Sequence, residues 1–236
     1  KQLLNVIEEL EKAENSKDDF VANVSHEIRT PINTICGMSE IILKEELPHE
    51  IKEKVVNMQM AGRNLMGVVS DILDFSELQS EEIQMEEESY HLSSTINDVV
   101  NMALAYKNDK KIDLIVDCDP EIPCGLLGDE KKIRRVIMKL LNNAIKFTDE
   151  GYVKLSVKMQ EAEDDNCQLY FTIEDSGQGI KEEDIERLFE AFNQVDTKRN
   201  RQEGGIGIGL AISKRIISKM GGFISVKSEL GKGSEF

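Results

Sequence analysis

The chain has 236 residues, 40% of them hydrophobic, and 29 Lys plus Arg against 45 Asp plus Glu give it a net charge of -16. That length suits one large domain or two small ones with a proper core. The acidity argues against a nucleic-acid partner, because no positive field exists to displace phosphate counterions.

No apolar run reaches the roughly eighteen residues of a membrane span, so any membrane attachment would come through parts absent here. No basic-then-apolar leader opens the chain. It starts at Lys1, already in a helix-like pattern, and reads as a piece cut from something longer. Cys36, Cys118, Cys124 and Cys167 are irregularly spaced, and His26, His49 and His91 lie far apart. Reduced thiols in a cytoplasmic protein are expected, and no metal cluster.

Residues 1–80 place apolar side chains at helical spacing. One stripe runs through Phe20, Val24, Ile28, Ile35, Met38 and Ile42, a second through Ile51, Val55, Met58, Leu65, Val69 and Ile72. Seams of this length predict a helical hairpin turning at 44–50, near Pro48. Two helices cannot enclose two seams, so a homodimer closing into a four-helix bundle is expected. Residues 1–15 read as a connector helix from an upstream domain. The acidic stretch 80–89 lacks apolar period and marks the boundary.

From residue 88 the period changes. Ile112–Leu114–Val116, Val153–Leu155–Val157–Met159, Leu169–Phe171–Ile173 and Ile224–Val226 alternate as strands do. Helical stretches near 93–106, 129–147, 182–190 and 208–220 separate them, which predicts an α/β sandwich over 88–236.

Four groups of residues carry chemistry. In the first, Phe20, Val24 and Ile28 turn inward and leave His26 and Glu27 on the outer side of the helix. Glu27 can accept the Nδ1 proton and leave Nε2 free as a nucleophile. Pro31 removes a backbone donor just beyond. In the second, Lys139, Asn143 and Lys146 share a helix face opposite Val136, Ile137, Leu140, Leu141 and Ala144. Asn143 offers an oxygen to Mg²⁺, and Lys146 a charge to a phosphate.

The third group is Asp175-Ser-Gly177-Gln-Gly179 at a strand end, where a carboxylate suits an adenine amino group and the glycines permit close backbone approach. The fourth is Gly204-Gly205-Ile206-Gly207-Ile208-Gly209, opening a helix whose backbone N–H groups could face phosphates. The loop before it carries Lys198, Arg199 and Arg201 and reads as a lid over a terminal phosphate. Taken singly, each group also fits a bland alternative: a surface His on a coiled coil, an amphipathic helix, a turn, a solvated charge run.

Their joint order closely resembles the catalytic core of a sensor histidine kinase over nearly all 236 residues. Ser25-His26-Glu27-Ile28-Arg29-Thr30-Pro31 matches the phosphoacceptor motif, and Asn143-Ala144-Ile145-Lys146-Phe147 the asparagine motif. Asp175 to Gly179 matches the first glycine motif, Leu188-Phe189-Glu190-Ala191-Phe192 the phenylalanine motif, and Gly205 to Gly209 the second glycine motif. Gly231-Lys232-Gly233-Ser234-Glu235-Phe236 fits the end of the pattern.

The resemblance implies a phosphoacceptor hairpin at 1–80 and a GHKL-type ATP-binding α/β sandwich with a mixed sheet at 88–236, truncated at its C-terminus. It also implies that His26 takes the γ-phosphoryl group of ATP with Glu27 as base, Mg²⁺ held by Asn143 and adenine bound by Asp175. The phosphoryl group would then pass to a response-regulator receiver domain, separate or fused as in a hybrid kinase. Thr30 would position water for dephosphorylation of that partner. Two departures stand out: Lys139 replaces the family's first Asn, and Ile206 its usual Thr or Ser. A weak nucleotide-binding scaffold, a phosphatase-biased sensor protein and a GHKL ATPase are the competing expectations.

Overall fold

A computed structural model describes residues 24–79, 85–107, 110–161, 166–193 and 207–236. Contacts divide the chain into two compact units, Lys1–Ile83 with Ala191–Ile212 and Gln84–Glu190 with Ser213–Phe236. The connector helix expected at 1–15 lies outside the described residues.

The hairpin consists of α1 (24–43) and α2 (His49–Gln79). Lys44 and Glu45 donate back to Ile41 and Ile42 at 3.1 Å, tightening the end of α1, and the Pro48 carbonyl receives the amides of Ile51 and Lys52 to open α2. Pro48 has no N–H to leave unpaired there. The seam between the helices is a strict seven-residue repeat on both sides: Ser25, Ile32 and Ser39 on α1, Val55, Gly62, Val69 and Ser76 on α2. All but Gly62 are buried. A seven-residue repeat winds two helices left-handedly.

Within one hairpin most of the expected stripes stay uncovered. Ile28, Ile35 and Ile42 are exposed, as are Ile51, Met58, Leu65 and Ile72. They too recur every seven residues and form a second, open seam. The closed seam is lined with small residues because the helices approach closely: a Cβ on Gly62 would stand 2.6 Å from Cys36 Sγ. Phe20 lies outside the described residues.

The second unit starts with β1 (Glu88–His91) and α3 (Leu92–Lys107), then β2 (Lys111–Cys118), β3 (Gly125–Gly128) and α4 (Glu130–Phe147). There follow β4 (Glu150–Glu161), β5 (Cys167–Asp175), the short α5 (Glu182–Ile185), α6 (Gly209–Lys219), β6 (Lys227–Glu229) and β7 (Gly233–Glu235). β1 pairs with β3. The main sheet has the order β2-β4-β5-β7-β6, parallel between β2 and β4 and antiparallel elsewhere. The sheet is therefore mixed, as a GHKL-type sandwich requires.

One face of the sheet is covered. Val153, Leu155 and Val157 on β4 and Ile173 on β5 are fully buried, and α4 packs on these two strands with α3 beside it. The buried stripe of α4 is Val136, Ile137, Leu140, Leu141, Ala144 and Ile145. Each of these side chains except Ala144 contributes about 1.5–3 kcal/mol. Lys154, Ser156 and Lys158 alternate onto the other, wetter face, the pattern of a sheet covered on one side.

Two expectations are corrected. The last strand pair begins at Lys227, so Ile224 and Val226 stand in the preceding loop. The helix expected at 182–190 ends at Ile185 and continues as tight turns, Leu188 bonding to Ile185 and Glu190 to Arg187. Among the described residues, no helix is long and apolar enough to cross a membrane. All four cysteines are free.

Candidate functional site

α4 positions Asn143 and Lys146. Its start is fixed by Asp129, which is 2% exposed; Oδ1 accepts the Lys132 amide at 3.0 Å, and Oδ2 accepts the Lys132 ammonium at 2.7 Å and the Glu86 amide at 3.0 Å. Burial pushes this carboxyl up, but the Lys132 ammonium and the two amides outweigh it and hold its pKa below the ordinary value. The opposite end is equally filled. Thr148 Oγ1 donates to Ala144 O at 2.8 Å, Lys110 Nζ to Ile145 O, Lys146 O and Thr148 O at 2.7, 3.0 and 3.2 Å, and the Gln178 amide to Phe147 O at 3.3 Å. Lys139, Asn143 and Lys146 are half-buried on the face opposite the core stripe, as their spacing predicted.

The loop after β5 meets this same helix end. Asp175 is 6% exposed, and its Oδ1 accepts the Gly177 amide at 2.9 Å. Burial raises its pKa, and the charge of Glu174 adds to this, against the lowering bonds from the amides of Gly177 and Ser234. A Cβ on Gly177 would come within 2.4 Å of Phe147 O. Gly179 has φ +67, and a Cβ there would meet Glu229 O at 2.0 Å. Both glycines are thus fixed by backbone approach.

Ser176 Oγ accepts the Tyr152 amide at 2.8 Å, Ser228 Oγ accepts the Ile180 amide at 2.8 Å, and the Gly231 amide bonds to Gln178 O at 2.7 Å. The result is a desolvated acceptor on a pinned loop, able to take a hydrogen bond from an exocyclic amine.

Further along, the Lys214 ammonium lies 5.5 Å from the centre of the Phe189 ring, joining the phenylalanine motif to α6. Gly207 adopts φ 79 and Gly209 opens α6. Lys198, Arg201 and Gly205 lie outside the described residues. On α1, His26, Glu27 and Thr30 are all exposed, and Thr30 Oγ1 donates to His26 O at 3.1 Å. Asn143, Lys146, Asp175, Gly177 and Gly179 are thus gathered in one unit, while His26, Glu27 and Thr30 belong to the other.

No cluster of three or more metal-ligating His, Cys, Asp or Glu exists among the described residues. The oxygen beside Asn143 on α4, Asn142 Oδ1, is buried without a hydrogen-bond partner. A sparse set of hard oxygen donors fits Mg²⁺, which characteristically takes one or two protein ligands and completes its shell with phosphates and water.

Residues 16–81 match the His Kinase A (phospho-acceptor) domain, and residues 128–236 match the histidine kinase-, DNA gyrase B-, and HSP90-like ATPase domain. The chain belongs to the sensor histidine kinase family. This histidine kinase core is 36% identical over 225 residues to the sensor histidine kinase GacS of Pseudomonas protegens, covering 95% of this chain and 24% of GacS. It is 34% identical over 226 residues to the signal transduction histidine-protein kinase BarA of Escherichia coli, covering 96% and 25%. The chain thus spans about a quarter of these relatives. Among solved structures, full-length ShkA in complex with AMPPNP superposes with a TM-score of 0.68 at 30% identity, over 92% of this chain and 44% of ShkA.

Sequence reasoning assigned no role to Lys110, Ser176, Ser228 or Ser234, although Ser176 and Ser234 stand within the matched motifs. Their signal is geometric: Lys110, Ser176 and Ser228 bond across the sequence to backbone groups, and the Ser234 amide bonds to the Asp175 carboxylate.

Proposed function

We propose that this core transfers the γ-phosphoryl group of ATP to His26 and then to an aspartate of a receiver domain, acting as a homodimer. The observation that carries the reading is the joint seat formed by the α4 end and the Asp175 loop, locked through Phe147 O and the Gln178 amide. Asp175 accepts the adenine amino group, Lys146 faces a phosphate, and Asn143 holds Mg²⁺, which when bound neutralises charge on the phosphates. His26 Nε2 attacks the γ-phosphorus, the bond to the β,γ-bridging oxygen breaks, and ADP leaves. Glu27 serves as the base for the Nδ1 proton. Such transfer asks mainly for alignment and charge neutralisation.

Contact with the terminal phosphate is assigned to Lys198 and Arg201, and contact with the phosphate chain to Gly205, Gly207 and Gly209, on their sequence motifs alone. Thr30 spends its hydroxyl proton on His26 O, so its lone pairs remain to orient a water for dephosphorylating the partner. The phosphoacceptor role is assigned to 1–80 and the ATP-binding role to 88–236, both working in the cytoplasm, with any membrane attachment left to other segments.

Lys139 bears on one rival, a catalytically weak or phosphatase-biased protein, since a lysine stands one turn before Asn143 where the family pattern has a neutral amide. Incubation with γ-labelled ATP separates the readings. Acid-labile, alkali-stable label that disappears in His26→Gln is expected, with Thr30→Ala still labelled but slow to dephosphorylate the receiver domain. Unlabelled protein would mean a scaffold, and released phosphate alone an ATPase.

A further inference from the structure

We propose that Lys110 is a positioning residue of the nucleotide site; the inference rests on the nucleotide-binding reading above. A helix ends with four carbonyls lacking intrahelical donors. In α4 these belong to residues 144–147, and every one is met from outside the ladder: Ala144 O by Thr148 Oγ1, Ile145 O and Lys146 O by Lys110, Phe147 O by the Gln178 amide. Lys110 Nζ also reaches Thr148 O, so three carbonyls take the three protons an ammonium offers. A cation at the negative end of a helix is favoured there by the dipole as well.

Two features turn this cap into a locating device. Lys110 immediately precedes β2, whose Ile112 is buried in the core, so the ammonium is delivered from the sheet itself. The turn that it grips carries Lys146 and also supports the Asp175 loop, through the Gln178 amide and the close approach of Gly177 to Phe147 O. One side chain therefore registers the phosphate-facing and adenine-facing parts of the seat against each other. Removing it leaves three carbonyls to be satisfied by water and lets the last turn of α4 loosen, moving Lys146 and the Asp175 loop together.

The test is Mg²⁺–ADP binding by calorimetry on the 236-residue chain, with thermal unfolding and amide exchange read on the same samples. Lys110→Met should weaken Mg²⁺–ADP roughly tenfold, the scale of one or two lost charged hydrogen bonds, at a temperature where the variant is folded. Exchange at the Gln178 amide should accelerate, exchange at Leu155 in the sheet centre should not, and Lys110→Arg should recover most of the affinity. Should Lys110→Met fail to fold, Lys110→Gln is read in the same way against Lys110→Arg. A lower unfolding temperature with unchanged Mg²⁺–ADP affinity makes Lys110 merely structural and overturns the proposal alone. A parent chain that binds no Mg²⁺–ADP overturns the nucleotide reading, and the proposal with it.

Discussion

Asp175 combines two demands that oppose each other. Burial raises its pKa, so the folded chain binds that proton more tightly than the unfolded chain does. The stability this contributes is present below the unfolded pKa and is lost as pH rises through the raised folded value. Ionising this buried carboxyl therefore costs stability, and the carboxylate so formed is the stronger acceptor for an amine's hydrogen bond. Asp175→Asn should accordingly unfold at a higher temperature than the parent at neutral pH, with the gap closing as pH falls through the carboxylate range. Mg²⁺–ADP affinity should drop about ten- to a hundredfold, as expected when an acceptor to a buried donor is lost. A variant whose unfolding advantage grows on acidification would contradict this assignment. The position of Asp175 was legible in the sequence because a strand-end acid before two glycines has few uses. Its dependence on Ser234 was not, because that bond joins residues far apart in the chain.

The long elements were read correctly where period and burial agree. β4 and β5 alternate cleanly because the sheet has one covered and one wet face, and α4 shows its stripe because it lies between that sheet and water. β1, β3 and β7 went unseen: three or four residues, rich in Gly, Ser and Glu, carry no period. The hairpin was recognised but its closed seam only partly read, since a search for large apolar side chains finds Val55 and Val69 and passes over Ser25, Ser39, Gly62 and Ser76, which line the same seam. Gly62 offers the check. Alanine there should gain about 1 kcal/mol of helix propensity, but its Cβ would press on Cys36 Sγ at 2.6 Å. Such overpacking costs about 1–3 kcal/mol. Gly62→Ala should therefore lower the unfolding temperature, and the same change on a Cys36→Ala background should raise it, a coupling that thermal unfolding of the four proteins measures. Equal effects in both backgrounds would mean that the helices stand further apart.

On the scale of the whole molecule, the open seam is the largest unmet demand. Ile35 is 46% exposed and Leu65 48%, in a line with Ile28, Ile42, Ile51, Met58 and Ile72. A second copy of the hairpin would cover that line and close a four-helix bundle. Light scattering at tens of micromolar, a range in which weak dimers persist, should find the parent dimeric and an Ile35→Asp, Leu65→Asp double variant monomeric. Residues 88–236 alone should be monomeric and still bind nucleotide; a monomeric parent would sink the bundle. The sheet carries a consequence of another kind, for the order in which the protein comes into being. Asp175 pairs with Ser234, and Ile173 exchanges both backbone bonds with Phe236. On a ribosome, α4, β4 and β5 are all made before Gly233–Glu235 exists, so a nascent chain can hold the whole hydrophobic core while its carboxylate loop has no neighbour on one side. The hairpin, built from contacts close in sequence, is free to fold early. The ability to hold nucleotide arrives only with these downstream residues, after the phosphate-accepting helices have had time to find each other.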